Sequence, residues 1–292
     1  MGSYLGDAGG IKVGKEAVAY GTVAATLVAQ HPVSSTLGTR VQRIAPTHLG
    51  VQANSLAKFG LSYSDGELVV LHNPSRAVIG PIYEQLGKLT TNTYAFGTGV
   101  VPDAVSMSAQ IDHGGYLAQY LGLIVNSIRW DFSTGEATRV TVGCIGRKGT
   151  KETWSAAFTQ PAESGIHMPS DFGTVTIGGT AVCLLSGTIT VSRPVTGADR
   201  ACLGGTTIKQ PQQNGRWSVT GSFNCELSAD SGNNTVAELD DYLANTALGD
   251  IVVDDWTLGT CYMVGDPPAL GAGLATFPIN VEALSLSLVT TA

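Results

Sequence analysis

The most regular stretch of the chain is IVNSIRWDFSTGEATRVTVGC, from Ile124 to Cys144. Its alternation brings charged residues together. With side chains pointing to opposite faces at each step of a strand, Ile128, Trp130 and Phe132 share one side, and Arg129, Asp131 and Ser133 share the other. After a turn at a glycine, Val140, Val142 and Cys144 oppose Arg139, Thr141 and Gly143. Two arginines and an aspartate therefore occupy one face. Such a trio could polarise a substrate, or its opposite charges could pair across strands for a few tenths to ~1 kcal/mol. No nucleophile, metal set or phosphate loop converges on it in sequence. Arg129, Asp131, Arg139 and Thr141 are accordingly candidates for the polar face of a sheet rather than for catalysis.

Other chemistry is sparse. GGIKVGKEA places Gly9, Gly14 and Lys15 at the spacing of a phosphate-binding loop. Glu16 then stands where a Ser or Thr must ligate magnesium, and too little chain precedes Gly9 for the buried strand such a loop needs. No G-x-S-x-G or H-E-x-x-H occurs. The five histidines (His31, His48, His72, His113, His167) lack metal-ligand spacing and read as surface or capping residues. In DIVVDDW, read as a strand, Asp250 and Asp254 point one way and Asp255 the other, which suggests a solvated strand end or an acidic contact surface. Asp240 and Asp241 fall on the polar side of a predicted helix. No metal and no cofactor is expected. Trp130, Trp217 and Trp256 alternate with aliphatic neighbours and are assigned to the core; Trp154 is a possible anchor for a partner. Five cysteines, odd in number and without C-x-x-C, read as buried free thiols.

The elements that position these residues are mostly strands. Residues 1–60 read as an irregular, Gly-, Thr- and Ala-rich N-terminal arm with loops. Glu67 to Leu71 is a strand. Asn73 or Ser75 can cap a following helix, with Pro74 near its start. Val78, Ile82 and Leu86 form one face of that helix, Pro81 predicts a kink or restart, and Gly87 predicts the stop. A strand from Ala104 to Ile111 alternates through Val105, Met107, Ala109 and Ile111. Residues 149–172 lose periodicity and read as a linker. TAVCLLSGTITVSRPV and GRWSVTGSFNCELS are strands, the second with Trp217, Val219, Gly221, Phe223 and Cys225 inward. Thr235 and Glu238 form a capping box for a second helix with Val236, Leu239 and Leu243 on one face, ended by Leu248-Gly249. In FPINVEALSLSLVTT, the inward parity changes between Ile279/Val281/Ala283 and Leu284/Leu286/Leu288, a β-bulge signal. Both halves thus follow one order of elements, which suggests duplication: a first module over 61–150, a linker over 151–172 and a second module over 173–292.

Composition agrees with a β-rich chain. Of 292 residues, 37 are Gly and 13% are charged, about half the usual share. Residues 1–150 hold 11 Lys/Arg and 9 Asp/Glu, whereas residues 151–292 hold 5 and 14. A half with a balance of −9 disfavours tight binding to a phosphate backbone, though not passage of DNA that slides without sticking. No basic-then-apolar leader is seen, and no apolar run approaches membrane-spanning length. A protein of a reducing cytoplasm is expected.

The order of these segments resembles the tail tube (major tail) proteins of long-tailed, siphovirus-type bacteriophages. The resemblance rests on GKEAVAYGT, with its A-Y-G-T element, on a strand and helix ending in Leu-Gly, and on GLIVNSIRWDFSTGEATRVTVGC with its STGE turn, followed by a Trp-bearing β half. It implies a mainly β, sandwich- or barrel-like tail-tube fold, here as two modules each with a short flanking α-helix. It further implies a non-enzymatic virion protein, made in the host cytoplasm, whose rings stack into the tube that delivers DNA. Implied partners are other copies of the chain, the tape-measure protein, and tail tip and terminator proteins, with non-specific passage of DNA and no membrane. A duplicated module favours a ring of three chains with pseudo-sixfold symmetry over one of six. On that reading Arg129, Asp131, Arg139 and Thr141 face either the channel or a neighbouring subunit. The alternative is a β-sandwich virion module that binds a receptor or glycan.

Overall fold

The computed structural model describes residues 9–16, 20–44, 58–104, 106–113, 116–147, 149–152, 161–196, 208–213, 215–226, 229–230, 233–234, 247–265 and 276–291. The first strands are β1 (Ile11–Lys15), β2 (Val28–Ala29), β3 (Pro32–Ser35), β4 (Gly38–Ile44) and β5 (Lys58–Leu71). Helix α1 (Arg76–Tyr83) follows, then β6 (Lys88–Thr90), β7 (Thr93–Gly97), β8 (Met107–Asp112), β9 (Leu117–Ser133), β10 (Glu136–Arg147) and β11 (Thr150–Glu152). Next come β12 (Val175–Ile177), β13 (Thr180–Val182), β14 (Leu184–Ser192), β15 (Val195–Thr196), β16 (Gln212–Gln213) and β17 (Ser218–Glu226). The chain closes with β18 (Ala229–Asp230), β19 (Asn233–Asn234), β20 (Gly249–Val253), β21 (Trp256–Met263) and β22 (Thr276–Val289). The fold is mainly β and its strands pair antiparallel, apart from one isolated parallel bridge, Ser75 with Thr291.

The predicted hairpin is the centre of the molecule. β9 and β10 pair with Val140 opposite Trp130 and Val142 opposite Ile128. β5 lies on the far edge of β10, and β14 on the far edge of β9. β17 and β22 extend the sheet beyond β14. Inward parity puts Leu68, Val70, Ile128, Trp130, Val140, Val142, Ile189, Val191 and Phe223 in one continuous core.

β22 belongs to two parts of the sheet. Residues 276–283 pair with β17, and residues 285–289 pair with β7. The changeover coincides with the parity switch: Ile279 and Val281 are buried before it, Leu286 and Leu288 after it. The expected bulge, one extra residue in one strand, is absent from the ladder with β21, whose register holds from Met263↔Val281 to Trp256↔Leu288. β21 switches faces at the same level, where Thr260 takes a φ of 51°. The two strands turn the corner together, and Leu284 is left 63% exposed. Strands that pass from one packed layer to another bend in this way.

Helix α1 is shorter than the pattern suggested and runs through Pro81 to Tyr83. Ser75 is the N-cap residue without a side-chain capping bond; Asn73 Oδ1 instead accepts the Ser75 N–H at 2.9 Å. The turn after it ends with the Gly87 N–H donating to the Tyr83 carbonyl at 2.7 Å. The buried face is Ile79, Ile82, Tyr83 and Leu86, while Val78 is half-buried, because packing against Trp130, Tyr94 and Phe96 rotates the face toward Tyr83. The second predicted helix, with Thr235, Val236, Glu238, Leu239 and Leu243, lies outside the described residues, as do Val105, Trp154, Cys202, His48, Asp240 and Asp241.

Three further expectations need correction. The segment read as an irregular arm carries β1 to β4; β1 pairs along β8, and Ile11, Val13 and Leu37 join the core. DIVVDDW is not one strand: Asp254 and Asp255 form the two-residue turn of a β20–β21 hairpin in which Val253 faces Trp256. Asp254, at φ 51°, accepts that turn through the left-handed tolerance of aspartate. His31, His72 and His167 are buried rather than exposed. Of the thiols, Cys144, Cys225 and Cys261 are buried and Cys183 is half-buried. Burial raises the Cys144 thiol pKa and pushes that of Cys261 up to about 12, so both stay protonated at neutral pH.

Candidate functional site

The face opposite the core is polar across five strands, β10, β9, β14, β17 and β22, and is flanked by Val69 and Leu71 of β5. One row of opposed residues runs Leu71, Arg139, Asp131, Thr188, Ser222, Asn280. The neighbouring row runs Val69, Thr141, Arg129, Thr190, Thr220, Glu282. All four residues singled out in the sequence fall on this wall. Register sets Asp131 opposite Arg139, as expected, but the ion pairs form along the strands. Arg129 Nε meets Asp131 Oδ2 at 3.0 Å, and Arg139 Nη2 meets Glu136 Oε2 at 2.7 Å. The irregularity between Glu136 and Arg139 brings Glu136 within reach. The second oxygen of Asp131 accepts the Thr188 hydroxyl at 3.0 Å. Thr141, only 7% exposed, is covered between its neighbours. Pairs this exposed contribute under ~1 kcal/mol each. Their effect is on the field: both guanidiniums on the wall already hold a carboxylate.

Sequence reading missed Thr188, Thr190, Thr220, Ser222, Asn280 and Glu282 as members of the same wall. Each was visible as the polar half of an alternating strand. The order in which the strands pair was not.

A second cluster lies in the core. Trp130 Nε1–H donates to Tyr83 Oη at 2.8 Å, and Tyr83 Oη and His72 Nδ1 share a hydrogen bond at 2.9 Å. His72 Nε2 has no partner among the described residues, so a Tyr83 O–H that donates to Nδ1 would leave the imidazole proton on Nε2. The His167 ring centroid is 5.5 Å from that of His72. His167 Nδ1 contacts Thr138 Oγ1 at 3.0 Å, and His167 Nε2 contacts Asp254 Oδ2 at 2.9 Å. Hydroxyl, imidazole and carboxylate thus stand in the order of a nucleophile relay. Thr138 is wholly buried, however, so no substrate reaches its oxygen. The chain instead stitches the segment around His167 to β10 and to the β20–β21 turn, with backbone bonds from His167 N to His72 O and from Thr138 N to His167 O. The cavity near this cluster, about 360 Å³ between Phe132, Phe172, Val182 and Leu184, is lined by no His, Asp, Glu, Lys or Arg among the described residues. No group of three or more His, Cys, Asp or Glu suited to a metal ion occurs among the described residues.

Burial, with His167 nearby as the lesser cause, lowers the His72 pKa from 6.5 to about 3. His72 is therefore neutral in the fold over a range where the unfolded chain takes up a proton. Stability from this group is complete above pH ~6.5 and falls as pH drops toward 3, by about 1.4 kcal/mol per pH unit for one proton. Urea midpoints measured from pH 7 to pH 4.5 will show this slope in the wild type. His72→Asn, which keeps an acceptor near the Nδ1 position, will lose that component.

A polar wall of paired charges, a buried and inaccessible relay, and a long antiparallel sheet describe a scaffold. A sequence model of the family described as "Phage tail tube protein" matches residues 6–283, nearly the whole chain. The chain belongs to the phage tail tube protein family. No curated protein matches it. As a tail tube protein it is a structural component of a phage tail, a role that suits a wide sheet whose solvent face carries Thr188, Thr190, Thr220, Ser222 and Asn280. Among the described residues of this tail tube protein no helix is long and apolar enough to cross a membrane.

Proposed function

We propose that this tail tube protein self-assembles into stacked rings, and that the Arg129–Asp131–Thr188–Ser222–Asn280 wall lines the channel through which DNA passes. The observation that carries the reading is the self-neutralised wall. DNA binds proteins by exchanging counterions for Lys and Arg, with affinity rising steeply with the number of phosphate contacts. Here Arg129 and Arg139 are each held by a carboxylate on the same face, and Glu282 adds another negative charge. Such a surface lets phosphates slide past.

The seam between β9 and β14, seven residue pairs long, supports the ring. It joins the two halves of the chain edge to edge, and the same kind of joint between chains closes a ring. Unpaired edges would be an aggregation hazard in a free monomer; a ring pairs them. Two modules, over residues 61–150 and 173–292, favour a ring of three chains with pseudo-sixfold symmetry. The tape-measure protein inside the tube, and tip and terminator proteins at its ends, are the expected partners.

Negative-stain microscopy of the purified protein tests the reading. Discrete rings or tubes are expected, with three chains per ring in class averages. A ring of six separate chains would overturn the trimer. A monomer that persists at high concentration and binds glycans would replace the tube by a receptor-binding module.

A further inference from the structure

Glu16 is buried, and its carboxylate is saturated. Oε1 accepts the Gly122 N–H at 2.7 Å and the Ser108 hydroxyl at 2.9 Å. Oε2 accepts the Gly21 N–H at 2.8 Å and the Ser106 hydroxyl at 2.7 Å. Both glycines adopt left-handed backbone, with φ of 77° at Gly21 and 62° at Gly122. Each carries a side chain laid flat on it. A Cβ on Gly21 would stand 2.4 Å from Arg147 Nη1 and 2.5 Å from Arg147 Cδ, and a Cβ on Gly122 would stand 2.6 Å from Tyr20 Cε2. Glu16 thus builds a platform that fixes Tyr20 and Arg147 side by side.

The two residues line a cavity of about 470 Å³ with Ile208, Lys209, Gln210 and Gln212. Among the described residues no carboxylate lines it. Arg147 and Lys209 form no ion pair among the described residues. The Tyr20 hydroxyl is sealed from solvent and has no partner among the described residues, so only its ring faces the hollow. A forked guanidinium, an ammonium and two amides around one hollow, walled by the Tyr20 ring, make a donor set for an oxyanion. Glu16, beneath the platform, already accepts from four donors and does not compete.

We propose that the hollow between Tyr20, Arg147, Lys209 and Gln212 receives a carboxylate from a second copy of the chain. This rests on the assembly reading above. Charge favours that occupant: residues 151–292 carry 14 Asp/Glu against 5 Lys/Arg, and Glu163, away from the polar wall, is exposed. An acidic side chain of one copy meets the cationic hollow of the next, a heterologous contact of the kind that generates rings and stacks.

Two measurements test it. In the first, inorganic phosphate stands in for the carboxylate. The thermal midpoint of the full chain is followed in sodium phosphate against sodium chloride of equal ionic strength. A saturable rise is expected for the wild type and for neither Arg147→Gln nor Lys209→Gln; Lys209 is exposed, so its variant folds whatever Arg147→Gln does. No rise, or an equal rise in both variants, overturns the site. In the second, sedimentation gives the concentration at which tubes form. Both variants are expected to raise it about tenfold, and phosphate to raise it for the wild type alone. Variants that bind no phosphate yet assemble normally would assign the hollow to a free anion and overturn the second-copy occupant. A wild type that forms no rings or tubes would sink the assembly reading, while the thermal arm still decides whether the hollow binds oxyanions.

Discussion

Glu16→Ala is expected to destabilise the fold by about 3–5 kcal/mol, among the largest effects of any single change in the chain. The substitution leaves four donors without their acceptor: the amides of Gly21 and Gly122 and the hydroxyls of Ser106 and Ser108. The serines can turn toward other acceptors; the amides, fixed in the backbone, cannot. Glu16→Gln is nearly isosteric but puts an NH2 where an oxygen faced two donors, so it should cost about 2–3 kcal/mol. Urea denaturation measures both losses, and an unchanged m-value shows that stability rather than denatured-state compactness has moved. Amide exchange adds a local readout: Gly21 and Gly122 should exchange much faster in Glu16→Ala even under conditions where the fold holds. Protection at those two amides equal to wild type would show that the carboxylate is dispensable.

Trp130→Ala should cost about 3–5 kcal/mol by a different route. The indole is wholly buried between Tyr83, at 5.6 Å between ring centroids, and Phe96, at 5.9 Å. Removing it opens a cavity at the point where α1 meets the sheet. It also takes the donor from Tyr83 Oη, which continues the chain to His72. Trp130→Phe separates the two contributions, since it fills most of the space and lacks the N–H. A loss of about 1–2 kcal/mol for Phe against the larger figure for Ala is expected. Chemical denaturation of Trp130→Phe, Tyr83→Phe and the double variant closes a cycle. Strict additivity there would mean that the Trp130–Tyr83–His72 chain does not act as a unit.

What the sequence disclosed follows from which forces are local. The β9–β10 hairpin was legible because burial on one face writes a period of two into the residues themselves. So was the inward set of β17, from Val219 to Cys225. The α1 face was half right, since Val78 and Ile79 both suit a helix and only tertiary contact with Trp130 and Tyr94 chooses between them. The aspartates of DIVVDDW were misread because two turn residues between apolar runs look like a strand that ends in acid. The partners of Arg129 and Arg139 were assigned across strands, whereas a local irregularity after the turn favours neighbours on the same strand. Nothing in sequence could link Glu16 to Gly122, 106 positions away, or His167 to Asp254, 87 positions away. These contacts exist because the sheet brings distant strands together. The same Glu16 that spoiled a phosphate-loop motif turns out to accept the amide of Gly21 in the Tyr20–Gly21 turn, and Lys15, the would-be phosphate ligand, pairs with Glu84 at 2.7 Å.

The corner in β21 and β22 sets a rule of length. Both strands change their inward parity at one level while every rung of their ladder stays aligned. They behave like two meshed racks. A residue added to β22 alone at the corner would turn Leu286 and Leu288 toward water, with Ser285 facing Leu258 and Ser287 facing Trp256 in their stead. Insertions and deletions in this part of the gene are therefore tolerated only in matched pairs, one on each strand, and the spacing from Thr260 to Trp256 is tied to the spacing from Leu284 to Leu288.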